Sequence, residues 1–161
     1  MLTDASAMQS SQLPPVRDWD GVRALRRQLE EHLRQLPEEP RRELAMVAAE
    51  LAENGLRHAD AADGTSCVLV EVDLDQSFVE LRVTTRLKAV ERARNVLERV
   101  REIEASEDKE RAYVERLVEL SRGAGNATSE LGFHRIATEG RCSLRAAHDG
   151  DKLTIRARRV L

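Results

Sequence analysis

The predicted strands of this 161-residue chain come in two pairs, and the strands of each pair follow one another directly in the sequence. This grouping constrains the possible fold more than any other feature of the sequence. Residues 67–74 and 79–83 each alternate apolar and polar side chains, with a short polar turn between them. Residues 142–148 and 152–159 form a second pair around Asp149-Gly150, a dipeptide that favours a type I′ hairpin turn. Strands joined by such short turns are antiparallel. The two strand pairs therefore predict an antiparallel or mixed sheet.

Helical patterns fill most of the remaining chain. Capping by Asp18 or Asp20 predicts a helix through about residue 35, and a second helix is expected over about residues 39–59. Two more should follow caps at Thr84 or Thr85 and at Ser106, and a short one should span residues 131–139. This order predicts an α+β fold, a two-layer sandwich with the helices on one face of the sheet. The apolar spacing over residues 87–120 favours packing onto the core over a coiled-coil dimerisation hairpin.

Composition narrows the range of functions. Residues 1–17 contain Ser, Gln and Pro and predict a flexible tail, which leaves residues 18–161 as one domain. Hydrophobic residues make up 41% of the chain, but aromatic residues only 2%, so base stacking on single-stranded nucleic acid is not expected. The net charge is −3, and acidic and basic residues are interleaved, which again argues against a nucleic-acid partner. No run has the length of a membrane span or a signal-peptide core, and we expect a cytoplasmic protein without a membrane partner.

The most distinctive chemistry lies on the helix over residues 43–59. Its apolar residues form one stripe, and Glu50, Asn54, Arg57 and His58 follow the edge of that stripe. A carboxylate, an amide and two nitrogen-rich side chains suit an anion that carries a hard metal ion. The simpler interpretation is a surface helix with an ordinary polar edge.

This segment resembles the N-box of the GHKL superfamily, which includes histidine kinases, Hsp90-type ATPases and anti-sigma-factor serine kinases. The resemblance implies a Bergerat-type fold that binds Mg²⁺ and ATP. Glu50 would be the catalytic base, and Asn54 would ligate the magnesium ion. Arg57 and His58 would neutralise the charge of the phosphates.

A second segment resembles the Gly-rich G-box of the same superfamily, which holds the nucleotide phosphates. Leu131, Gly132 and Phe133 match its Leu-Gly-Leu, and the resemblance implies that they line the phosphate site. Two family glycines are replaced, by Thr128 and by Glu130, and the carboxylate would repel a triphosphate. The usual adenine-binding Asp is also missing after the second strand, where Thr84 would be a weaker acceptor.

The replacement of that Asp loop by helices resembles the SiaB-type group of small bacterial GHKL kinases. This resemblance implies a Mg-ATP-dependent serine/threonine protein kinase of a partner-switching pathway, acting on a small STAS-like regulator. The alternative is a degenerate GHKL module that sequesters such a partner without chemistry. The sequence leaves the enzyme question open, leaning towards a kinase, and a homodimer is conceivable. Arg156, Arg158 and Arg159 are interpreted as a solvated sheet face in preference to an anion patch.

Overall fold

A computed structural model describes residues 7–60, 67–123 and 127–161, and the side chains of the last segment from residue 131 onward. The strands are β1 (Gln9–Gln12), β2 (Leu69–Leu74), β3 (Phe78–Arg86), β4 (Ser143–Asp149) and β5 (Lys152–Val160). The helices are α1 (Trp19–His32), α2 (Glu38–His58), α3 (Val90–Ala105), α4 (Lys109–Ser121) and α5 (Ala127–Thr138). No helix in the described part of the chain is both long enough and apolar enough to cross a membrane.

The strands form one five-stranded antiparallel sheet in the order β1-β2-β3-β5-β4. One face is apolar, because alternate side chains such as Val72, Leu81 and Ile155 are buried in the core. Helices pack on this face, with α2 against β3 and α3 against β4, while α1 packs on α2. The α+β two-layer prediction is therefore confirmed.

The expected flexible tail is wrong for residues 9–16. Strand β1 pairs with β2, and Val16 forms a further antiparallel bridge with Val68. Leu13 and Val16 are buried, and the Leu13 amide donates to the carbonyl of Val70 at 2.9 Å. An edge strand pairs with a neighbour on one side only. A polar segment such as residues 9–16 can therefore form one, although its composition is typical of a flexible tail.

Helix α2 lies unusually close to the sheet at Gly55. A Cβ atom placed there would be 2.6 Å from Thr85 Oγ1 and 2.8 Å from Val68 Cγ2, well inside normal contact distance. A residue without a side chain is therefore required at this crossing. This approach fixes the last turns of α2, which carry the candidate polar residues, directly over β3.

Several predicted boundaries differ from the structure. Strand β3 continues to Arg86, so the two threonines at 84 and 85 cap no helix, and α4 is capped by Asp108, which accepts from the amide of Arg111 at 3.0 Å. The β4–β5 hairpin turns on Gly150-Asp151, with a positive φ of 61° at Gly150 but not at Asp151. That pattern fits a type II′ turn, in which Gly takes the first loop position, instead of the predicted type I′ turn.

Candidate functional site

The two halves of the predicted site lie against each other. Glu50 and Asn54 are on α2, and Gly132 is on α5, which packs on α2. A Cβ atom placed on Gly132 would lie 3.1 Å from Asn54 Nδ2 and 3.2 Å from Glu50 Oε2. Glycine at this position lets the two helices meet at the polar edge of α2. The resemblance to the GHKL superfamily implies this neighbourhood, because its N-box and G-box bind the same nucleotide.

Glu50 is held by an ion pair that links α5 to α2. Arg135 Nη1 donates to Glu50 Oε1 at 2.7 Å, and Arg135 Nε donates to Glu139 Oε2 at 2.9 Å. The hydrogen bond to Glu139 and the charge of Glu50 raise the pKa of Arg135. One oxygen of Glu50 is therefore engaged by a guanidinium group, and an incoming hydroxyl would have to approach the other oxygen, which faces Gly132.

Asn54 is 2% exposed, and its Nδ2 atom has no hydrogen-bond partner within the described residues. An unpaired buried amide costs free energy, so such atoms mark places where water or a ligand can add a partner. This unpaired N–H donor suits water or a phosphate oxygen, whereas the magnesium ligand that the resemblance implies would be the Oδ1 atom of Asn54. Within the described residues, no group of three or more His, Cys, Asp or Glu side chains could hold a metal ion.

Within the part of the chain that the structure describes, the cavity beside Asn54 is nearly closed. The cavity beside Asn54 has a volume of about 10 Å³, enough for one water molecule at most. Small-molecule pockets are typically about 300–1,000 Å³. Val96 of α3 and Phe133 of α5, 6% and 3% exposed, contribute to its walls together with Leu51, Val83, Leu153 and Ile155. ATP therefore does not fit in this cavity as the described residues enclose it, although the polar groups on α2 suit it.

Gly132 lies inside helix α5, although the sequence predicts a helix that begins at residue 131. Helix α5 begins at Ala127, so the amide of Gly132 lies in its interior, where amide groups bond within the helix. Phe133 fills the cavity, and Leu131 beside it is half-buried. The backbone of Leu131, Gly132 and Phe133 is thus unavailable as a phosphate cradle. The side chains of Thr128 and Glu130 lie outside the described residues.

The two side chains predicted to neutralise phosphate charge, Arg57 and His58, lie in different environments. Arg57 points towards solvent. Its Cζ atom lies 5.6 Å from the ring centre of Trp19, and its Nη2 atom lies 3.8 Å from Glu53 Oε2. His58 lines the closed cavity, and burial together with nearby Arg92 and Arg57 lowers its pKa. A histidine that loses its proton more readily is a poorer counter-charge for phosphate.

The prediction for Thr84 is wrong. Its hydroxyl is 3.3 Å from the hydroxyl of Thr154 on the face of the sheet opposite the helices. Successive strand residues point to opposite faces, so Thr85, not Thr84, lines the cavity. The sequence also missed the wall formed by Val96, because nothing in a helical pattern shows which apolar residue will enter a neighbouring site.

Comparisons with known proteins support the fold. No protein-family model and no curated protein matches the chain. A solved structure, "The crystal structure of SiaB-SiaC complex from Pseudomonas aeruginosa", contains a chain that is similar to this one with a TM-score of 0.68. The sequences are 15% identical, and the match covers 94% of this chain and 89% of that chain. At this identity the similarity concerns the fold.

Proposed function

We propose that this chain is a regulatory module of a partner-switching pathway, which binds a small regulator protein through a GHKL-type domain and needs no nucleotide to do so. The observation that carries this proposal is the closed cavity of about 10 Å³ beside Asn54. The similarity to a chain of the SiaB–SiaC complex supports a protein partner, here a STAS-like regulator. The two thiols, Cys67 and Cys142, are free, which suits a cytoplasmic location.

The second candidate is a Mg-ATP-dependent serine/threonine protein kinase that acts on the same regulator. The approach of Gly132 to Glu50 and Asn54 favours it, as does Asn54 Nδ2, a donor without a partner among the described residues that suits a phosphate oxygen. This candidate requires a second conformation in which α5 leaves α2, the Arg135–Glu50 ion pair breaks and Phe133 leaves the cavity.

Thermal unfolding with and without Mg-ATP separates the two candidates. A ligand present at 100 times its dissociation constant adds about 2.7 kcal/mol to the free energy of unfolding, which a melting curve detects easily. The module predicts no shift at millimolar Mg-ATP. A clear shift that Asn54→Ala removes would overturn the module and support the kinase.

Partner binding is tested by calorimetric titration with a SiaC-type regulator. The module predicts the same affinity with and without Mg-ATP, and the same affinity for wild type and Glu50→Ala. Glu53→Ala is a matched control, because Glu53 lies on the same helix with a partly exposed side chain. Transfer of phosphate to the regulator by wild type but not by Glu50→Ala would establish the kinase instead.

A further inference from the structure

Three arginine side chains lie in one row on the sheet face that the helices leave uncovered. Arg82 on β3 is opposite Arg156 on β5, and Arg156 is opposite Arg145 on β4. Their chain neighbours Val83 and Ile155 are buried in the core, so the arginines point away from it. Residues directly opposite each other have Cβ atoms about 4.5–5.5 Å apart, so three positive charges are adjacent.

Acidic partners are distributed unequally along this row. Arg82 lies 3.1 Å from Asp73 Oδ2 and 3.6 Å from Glu71 Oε2, so its charge is well compensated. Arg156 reaches Glu80 Oε1 only at 4.0 Å, and half of its side chain is exposed. The compensation of charge therefore weakens from β2 towards the β4 edge of the sheet.

The single carboxylate of Glu80 also serves another arginine. Arg158 donates to Glu80 Oε2 at 3.0 Å, while Arg145 has no ion pair or hydrogen bond within the described part of the chain. A groove of about 140 Å³ is lined by Arg145, Arg156, Arg158, Glu80 and Ser143, and we call it the arginine groove. It holds three positive charges against one negative charge.

Such a row is unfavourable for folding alone, because like charges on directly opposite strand residues repel each other. An anion bound in the groove would remove that repulsion. We propose that the arginine groove is the docking surface for an acidic segment of a partner protein. The inference rests on the proposed function, since it takes the small regulator as that partner. Each guanidinium group can hold a carboxylate with two parallel hydrogen bonds, which gives such a surface direction as well as charge.

The surroundings of the groove favour a short acidic peptide segment over nucleic acid. Glu71 and Asp73 lie further along the same sheet face, beyond Arg82. A continuous phosphate backbone crossing the sheet would meet these carboxylates, whereas two or three acidic side chains can contact the groove alone. The net charge of −3 also opposes a polyanion that covers more than this surface.

The test is an NMR titration of the ¹⁵N-labelled protein with an oligoglutamate peptide at low salt. We expect shifts of β4 and β5 amides in wild type, and a loss of affinity of about tenfold or more in Arg145→Glu/Arg156→Glu, with most of the wild-type salt dependence lost. The matched control is Arg26→Glu/Arg27→Glu, which makes the same charge change on the exposed face of α1. Arg145→Gln/Arg156→Gln gives a second variant if the charge reversal impairs folding.

Each outcome decides a separate claim. Absence of β4–β5 shifts with oligoglutamate, or an equal loss in the α1 control, would overturn the arginine groove as an anion site. A regulator that binds wild type and both groove variants equally would overturn the docking surface and leave the proposed function standing. If no SiaC-type regulator binds wild type, the proposed function and this partner both fail, whatever the peptide shows. Tighter binding of a single-stranded DNA oligomer than of oligoglutamate would overturn the protein partner.

Discussion

Arg135 Nη1 lies 2.7 Å from Glu50 Oε1, and this contact joins α5 to the residue that the GHKL resemblance implies as a catalytic base. The arginine is 43% exposed at its side chain and the glutamate 19%. The pair is therefore partly accessible to solvent, which can compete with it. The position of α5 therefore determines whether the Glu50 carboxylate is paired or free to bind another group.

Arg135→Ala should loosen α5 without unfolding the protein. Because the pair is partly exposed, the expected loss of stability is about 1 kcal/mol or less. Local opening should be more sensitive, so we expect faster amide hydrogen exchange in α5 than in wild type. Arg141→Ala is the control, since its contact with Glu39 at 3.5 Å is far more exposed. Unchanged exchange in α5 would mean that apolar packing, not this pair, holds the helix.

Gly55→Ala should destabilise the protein by about 1–3 kcal/mol, measured by urea unfolding. The added methyl group would overlap Thr85 Oγ1 and Val68 Cγ2, and neither α2 nor the sheet can move without disturbing the core. Adding Thr85→Ala should recover part of the loss, because it removes one of the two overlaps. If Gly55→Ala alone were neutral, α2 would not be confined at this crossing.

The buried pair of Arg159 and Glu43 should contribute more than the exposed pairs. Arg159 is 7% exposed on the helix side of the sheet, contrary to its predicted place on a solvated face. Arg159→Ala leaves the Glu43 carboxylate without its cation, and we expect a loss of about 3 kcal/mol in urea unfolding. Arg158→Ala, one residue away on the opposite face and half exposed, should cost about 1 kcal/mol or less. Equal effects would show that burial does not separate the two arginines.

Stability should fall as the pH drops below about 6.5, because His58 and His134 both have lowered pKa values in the folded protein. Burial is the main cause for each, with Arg92 adding to it at His58 and Arg99 at His134. The unfolded chain binds these protons first, so stability is complete above the ordinary histidine pKa and is lost as the pH falls through the folded values.

Urea unfolding between pH 7.5 and 5.5 measures this effect. His58→Gln/His134→Gln should flatten the dependence of the free energy of unfolding on pH in that range. A slope that persists in the double variant would assign the acid sensitivity to other groups.

The sequence predicts helix α2 and the strand pairs, because these depend on period and local spacing. The meeting of Asn54 with Gly132 is implied by the resemblance to the GHKL superfamily, and no period or spacing indicates it. The sequence places Thr84 on the wrong face, because a one-residue error in a strand exchanges the two sides of the sheet. It also misplaces the start of α5, where residues 127–130 carry no strong helical pattern of their own.

The sequence-based prediction that the helices after β3 pack onto the core holds for α3 but not for α4. Helix α3 buries Ala93, Val96, Val100 and Ile103, as the packing interpretation required. Helix α4 has no buried residue, and its Val114 and Val118 are exposed. Apolar residues at helical spacing predict a face, but they do not say what covers it. For the same reason the sequence does not show that Val96 and Phe133 line the small cavity beside Asn54.

The pairing of β1 with β2 has a consequence for any shortened form of the protein. Removing residues 1–17 would strip β2 of its outer neighbour and leave the backbone groups of Val68 and Val70 without partners. Such an uncovered apolar strand is a template for strand addition, so the trimmed protein should assemble with itself through this edge. The N-terminal segment that resembles a flexible tail therefore protects the edge of the sheet against pairing with a second molecule.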